Sequence, residues 1–373
     1  MPFLNDLLEQ TRRDASSSAA LNAENCHTRT IVETHLRSED TLQSRFRFDV
    51  AAIMQVLRSE VLGQDEALQA IEDVLTVVRA DILDPRRPLF TALFLGPTGV
   101  GKTEIVRALA RALHGDADAF CRVDMNTLAQ EHYAAALTGA PPGYAGAKEG
   151  RTLFDQALLD GSQGRPGIVL FDELEKASKE VSQALLNVFD NGLLRLASGE
   201  KSFNFRNTLV FMTSNLAADE IRQHRLGPLV SLRRLLGQRA GQRERLLALV
   251  RRRLVKRFSA EFVNRIDSTV VFNAIEQAVS ERIVELEVSR LNRRLAKHHC
   301  RLQLDAAVVG KLASEGHDVE FGARALKRFI RHELEVPLAE YLLGNRIPCR
   351  AEVACITVAG HLERGRIRFS VST

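Results

Sequence analysis

Apolar and polar positions divide the chain into a polar leader, a block of alternating strands and helices, and a helical end. Residues 1 to about 45 are polar, with the small-residue cluster Ala15-Ser16-Ser17-Ser18-Ala19-Ala20. This predicts a short leader over residues 1–50, helical or partly disordered. It is too short to be an independent substrate-binding domain. Ala67, Leu68, Ile71, Leu75 and Val78 recur at helical spacing, so residues 65–80 predict a helix. After the loop Asp84-Pro85-Arg86-Arg87-Pro88, the apolar run Thr91-Ala92-Leu93-Phe94-Leu95 predicts a buried strand. A glycine-rich turn and a helix from Lys102 to about His114 follow. Two further buried strands are expected at Gly167-Ile168-Val169-Leu170-Phe171 and Thr208-Leu209-Val210-Phe211-Met212. Each ends in polar residues, as strands do at the ligand edge of a parallel α/β sheet.

Downstream, residues 230–257 mix arginine and leucine at helical spacing, which predicts an amphipathic helix with a solvated basic face. Contact with an acidic partner surface is the alternative for that stretch. Residues 273–345 predict helix throughout, and residues 352–358 and 366–372 alternate as a small hairpin or edge strands. The domains expected are a large α/β unit over 51–272 and a smaller, mainly helical one over 273–373.

Composition narrows the class. The chain has 373 residues, 45% hydrophobic and 26% charged, and a net charge of only +4. That length suits more than one core, and the charge does not by itself call for nucleic acid. Five scattered cysteines, Cys26, Cys121, Cys300, Cys349 and Cys355, form no CxxC pair. A disulfide framework or structural zinc is not expected, and a reducing cytoplasm fits. His298-His299-Cys300 predicts a solvated helix end rather than a metal site. No apolar run reaches the roughly 20 residues that span a bilayer, and no secretory signal is expected.

The chemistry lies at the strand ends. Gly96-Pro97-Thr98-Gly99-Val100-Gly101-Lys102-Thr103 matches the phosphate-loop pattern, with a strand before it and a helix after. Its glycines let backbone amides close on phosphate. Lys102 places a cation at the β/γ-phosphates, and Thr103 offers a hydroxyl to Mg²⁺. The second apolar strand delivers Asp172 and Glu173. Asp172 is placed to hold Mg²⁺, and Glu173 to polarise the water that attacks the γ-phosphate. Asn215 ends the third strand, where its amide can share that water.

The chain resembles the Clp branch of AAA+ ATPases, most nearly the second ATPase domain of ClpB- and ClpA-type unfoldases. The resemblance runs through Val61-Leu62-Gly63-Gln64-Asp65-Glu66-Ala67, the phosphate loop and Gly139-Ala140-Pro141-Pro142-Gly143-Tyr144-Ala145-Gly146. It continues through Asp172-Glu173-Leu174-Glu175-Lys176-Ala177, Phe205-Arg206-Asn207-Thr208 and Met212-Thr213-Ser214-Asn215. Phe262-Val263-Asn264-Arg265-Ile266-Asp267 and Phe321-Gly322-Ala323-Arg324-Ala325-Leu326-Lys327 complete it, over roughly residues 55–345. It implies a P-loop NTPase parallel sheet with flanking helices, followed by a small mainly helical domain with short edge strands.

The resemblance also implies roles. Val61 and Leu62 would wall the adenine pocket. Arg265 would be the arginine finger that reaches the γ-phosphate of a neighbouring subunit. Arg324 would contact nucleotide within its own subunit. Tyr144, in the loop Gly143-Tyr144-Ala145-Gly146, would line a central pore and grip extended polypeptide. Ala145 stands where the family usually has a larger aliphatic residue. The function implied is an ATP-dependent protein unfoldase working as a homo-oligomeric ring, most simply a hexamer, with ATP and Mg²⁺ as cofactors and proteins as substrates. Arg225-Leu226-Gly227-Pro228-Leu229 only distantly echoes a peptidase-docking loop, so peptidase docking is not expected. A nucleic-acid motor using residues 233–257 and a non-catalytic ATP-binding scaffold are the alternatives.

Overall fold

The computed structural model describes residues 43–129, 154–162, 164–195, 202–221, 240–318, 321–344 and 356–372. Residues 1–42 of the expected leader, the loop bearing Gly143, Tyr144, Ala145 and Gly146, and the segment 225–229 lie outside these residues.

A five-stranded sheet organises the larger unit. Its strands are β1 (Phe90–Leu95), β2 (Cys121–Asp124), β3 (Gly167–Asp172), β6 (Thr208–Ser214) and β7 (Ser268–Val271). They lie in the order β2-β3-β6-β1-β7, with every neighbouring pair parallel. β4 (Leu193–Arg195) and β5 (Ser202–Asn204) form a separate antiparallel hairpin. All residues of β3 and β6 are buried, as their unbroken apolar runs require when both faces are covered. Both strands run past those runs and carry Asp172, Thr213 and Ser214 into the buried sheet edge.

Alternate residues of β1 serve two cores. Ala92 and Phe94 pack with α1 (Val50–Glu60), α2 (Asp65–Ala80) and α3 (Lys102–His114) through Leu57, Leu75 and Leu109. Leu93 and Leu95 pack on the other face with α5 (Lys179–Asn191) and α6 (Ala240–Arg257) through Leu185 and Val250. The one-and-a-half-turn α4 (Gln156–Asp160) falls between α3 and α5 along the chain. The helix expected over 65–80 has those bounds, with Ala67, Leu68, Ile71, Leu75 and Val78 all buried.

The arginine-rich helix buries Leu246, Val250 and Leu254 at four-residue intervals and exposes Arg251 and Arg252. Arg257 departs from the expected solvated face. Its Nη2 donates to Glu175 O and Ala177 O, both at 2.7 Å, where it ties the helix end to the segment behind β3.

The C-terminal unit has its own core, including Val284, Leu302, Leu312, Leu326 and Val358. It contains α8 (Gln277–Leu295), α9 (Ala306–Glu315), α10 (Gly322–Ile330) and α11 (Val336–Gly344), with α7 (Ala260–Asn264) lying before the connection. The expectation of unbroken helix over 273–345 is corrected by β8 (Cys300–Leu304). His299 adopts a left-handed φ of 53°, which stops the helix, and Cys300 and Leu302 then alternate inward. Five alternating residues are easily lost inside a long helical window. In the terminal hairpin the first strand, β9 (Ile356–Glu363), runs past the expected end at 358, while 352–355 lie outside the described residues; it pairs antiparallel with β10 (Arg366–Ser372) and parallel with β8. The connecting residues Arg364 and Gly365 both have positive φ, as a two-residue primed turn requires.

Phe211 is fully buried and stacks on Phe94 with ring centroids 5.4 Å apart. Phe211→Ala is expected to cost about 3–5 kcal/mol of stability, read as a fall in the denaturation midpoint.

Candidate functional site

The ends of β1, β3 and β6 meet because those strands are neighbours in the sheet. Lys102, the first residue of α3, is 8% exposed. Its ammonium donates to Gly96 O at 2.6 Å, Pro97 O at 2.7 Å and Asn215 Oδ1 at 2.9 Å. All three protons of the cation are therefore used, which is what a buried ammonium needs. Burial nevertheless pushes its pKa down to about 8. Glu175, Asp172 and Glu173 oppose that shift, and Arg324 reinforces it.

The glycines of the loop have different tasks. Gly96, Gly99 and Gly101 all have positive φ. A Cβ on Gly101 would meet nothing within 4 Å, so the loop there faces open space at the start of α3. A Cβ on Gly99 would lie 2.2 Å from Phe321 O, because α10 of the C-terminal unit docks at this point. Ala323 N donates to Gly99 O at 3.0 Å, and Gly322 takes a φ of 53° to allow the approach.

The acidic pair is held by β6 and β2. Asp172 accepts a short hydrogen bond from the Thr213 hydroxyl on one oxygen and lies 2.5 Å from Arg122 Nη2 on the other. The following Glu173 has a left-handed φ of 58°, uncommon for a residue with a side chain. Its N–H donates to Thr213 Oγ1 at 3.1 Å, and its carbonyl accepts from Lys176 N at 2.9 Å. The Asn215 N–H donates to Glu175 Oε1 at 3.2 Å.

These groups surround one cleft of about 410 Å³. Val61, Leu62, Thr98, Gly99, Val100, Gly101, Lys102, Thr103, Asp172, Glu173, Asn215 and Arg324 all line it. Gly96 and Pro97 join it through the carbonyls that hold Lys102. Arg265 is not among the lining residues. Its Nε lies 2.9 Å from Asp190 Oδ1.

The sequence reading missed several members. Arg122 reaches the site only because β2 pairs with β3, which strand order alone reveals. Buried Gln64 clamps the loop to the connection between the two units. Its amide donates to Val100 O at 3.2 Å and Asn273 O at 2.9 Å, and its Oε1 accepts from Asn273 N at 2.9 Å. On the far wall, Arg290 bonds Glu104 at 2.6 Å and Glu287 at 3.0 Å. Burial would raise the Glu104 pKa, but Lys327 and Arg290 together hold it below the usual carboxylate range.

Residues 87–269 match the family model described as AAA domain (Cdc48 subfamily). Residues 275–355 match that described as the C-terminal, D2-small domain of ClpB protein. A Pseudomonas aeruginosa protein described as an ATP-dependent protease ATP-binding subunit-like protein AmiB is 64% identical, over 99% of both chains. A Rhodococcus erythropolis protein described as an ATP-dependent protease ATP-binding subunit-like protein is 42% identical, over 93% of both. The chaperone ClpB of Rhodopirellula baltica is 39% identical over 78% of this chain but only 31% of its own length. Among solved structures, closed-state Hsp104 with ATPγS and FITC casein superposes with a TM-score of 0.70 at 29% identity, over 86% of this chain and 51% of that one.

With the AAA domain match, the phosphate loop, paired acids and parallel sheet place the chain among the AAA+ ATPases, enzymes that bind and hydrolyse ATP. Within that class the chain belongs to the Clp family of protein-remodelling chaperones and resembles their second ATPase domain.

An anionic ligand held by Lys102 would meet an ammonium that gives up its proton as pH rises through about 8. Below that pH the ammonium is present and above it is lost, so affinity for an anionic nucleotide falls with rising pH. Calorimetric titration with ADP in chelator should therefore show weakening between roughly pH 7 and 9, well below the range in which an ordinary lysine titrates. Affinity unchanged to pH 10 would contradict this.

Proposed function

We propose that this chain assembles into a ring, most simply of six copies, that cuts ATP between neighbours and draws polypeptide through a central pore. One observation supports this above the others. Lys102, Asp172, Glu173, Asn215 and Arg324 share a single cleft, whereas Arg265 stands apart on Asp190. An isolated subunit thus has all but one of the charged groups that phosphoryl transfer uses.

In this reading Val61 and Leu62 wall the base, and the amides of residues 96–103 cradle the phosphates. Lys102 and Arg324 stabilise the negative charge spread over the transferred phosphoryl oxygens. Glu173 polarises the attacking water, and Asn215, already bonded to Lys102, holds the far side of that water. The residues present fit a divalent ion. Thr103 lines the open cradle beside Gly101, and the Asp172 carboxylate reaches the same cleft, oriented by Thr213. These two would hold Mg²⁺, which when bound neutralises phosphate charge. Arg265 completes the site of the next subunit, so turnover depends on assembly.

Protein is the substrate class best supported, since the Hsp104 structure that this chain resembles was solved with casein. Tyr144 is the residue proposed to grip it, because an aromatic ring presses on any backbone without reading sequence. Work in the cytoplasm fits the buried thiols of Cys121 and Cys300. Among the described residues, no helix is long and apolar enough to cross a membrane. The arginine-rich helix lends the nucleic-acid alternative little, since Arg253 pairs with Glu220 at 2.5 Å and Arg257 is turned inward.

Glu173→Gln is expected to lower the steady-state ATPase rate of the assembled protein by about 10²-fold or more while nucleotide binding survives. Full turnover in that variant would refute the assignment of the water-activating base.

A further inference from the structure

For Arg265 to act on a second subunit, something must hold its guanidinium in place, and the nearest acid is Asp190. Asp190 is the penultimate residue of α5 (Lys179–Asn191). A carboxylate there sits at the negative end of the helix dipole, where helix stability disfavours it. Its Oδ1 is buried and takes no aligned hydrogen bond, yet Arg265 Nε lies 2.9 Å away. Moving the guanidinium off would leave a buried carboxylate oxygen without its facing cation. As a half-exposed ion pair the contact adds little to stability. Helix stability does not explain the acid's position; proximity to Arg265 does.

The surrounding backbone is fixed toward the same end. Arg87 Nε donates to Phe189 O at 3.0 Å, and its Nη2 lies 3.5 Å from Arg265 O. One side chain thus ties the end of α5 to the Arg265 turn. The Thr91 hydroxyl also lies 3.1 Å from Arg265 O and 2.7 Å from Asp267 Oδ2. The main chain of Arg265 is therefore pinned to the start of β1, and the side chain remains to be aimed.

We propose that Asp190 is a positioning residue for Arg265, gripping the Nε edge of its guanidinium so that both terminal nitrogens are presented to the phosphate held by a neighbouring copy. A guanidinium has five N–H donors in a planar fork. A charge contact at Nε leaves the four N–H donors of Nη1 and Nη2 uncommitted, and that pair of nitrogens can meet two phosphoryl oxygens. The Arg265 side chain is 43% exposed, so it is open to a neighbouring molecule. The inference rests on the reading of Arg265 as a group acting on a second subunit.

The test measures kcat and KM for ATP on assembled rings of the full chain, matched for assembly by light scattering. Asp190→Asn keeps the shape and removes the charge. It should lower kcat by about 10- to 100-fold with KM changed less than about twofold. Asp190→Glu, which keeps the charge on a longer arm, should fall between that variant and the wild type. Arg265→Ala should lose at least about 10³-fold, and adding Asp190→Asn to it should cost nothing more. Wild-type kcat in Asp190→Asn, alongside an inactive Arg265→Ala, would overturn the positioning role and leave the proposed function standing. A loss in Asp190→Asn that adds in full to that of Arg265→Ala, with a lowered melting temperature, would mean a purely structural role and also overturn it. Wild-type kcat in Arg265→Ala would instead sink the reading of the finger itself.

Discussion

The buried ammonium of Lys102 is the constraint around which the larger unit is arranged. A cation 8% exposed must have its protons taken and its charge offset. Two of its acceptors come from the loop after β1 and the third from the end of β6. The offsetting carboxylates come from the end of β3 and the turn behind it. The observed sheet, with β3, β6 and β1 adjacent and parallel, brings those three ends together. Such a cation, retained at some cost in desolvation, is ready for a ligand that brings negative charge.

A second constraint joins the two units. The start of α10 approaches the phosphate loop so closely that Gly99 and Gly322 both need to lack a Cβ. Gln64 then staples the loop to Asn273 at the connection. Arg324, Lys327 and Arg290 enter the cleft from the C-terminal unit as a direct result. The cleft is therefore lined from both units, so a ligand bound in it would touch both.

Much of this was legible in the chain. Unbroken apolar runs gave β3 and β6, and the glycine spacing gave the loop, because burial on both faces and positive φ each leave a residue-type signature. β8 was hidden because five alternating residues sit within seventy whose periodicity is helical. Arg122, Gln64 and Asp190 were hidden for another reason. Each matters through a partner 50, 209 and 75 residues away respectively, and no local pattern marks such a pairing. Family resemblance singled out Arg265 and Arg324, which by residue type alone look like ordinary surface arginines.

The central claim is that the active site is split between two copies, with the cleft from one and Arg265 from the other. Mixing two variants that fail for different reasons tests it most directly. Glu173→Gln subunits keep their arginine finger, and Arg265→Ala subunits keep their cleft. If the claim holds, each population alone is nearly inactive, and mixed rings regain ATP turnover at the interfaces where an intact cleft faces an intact finger. Mixed rings that remain as inactive as either parent, once co-assembly is verified by light scattering, would contradict it.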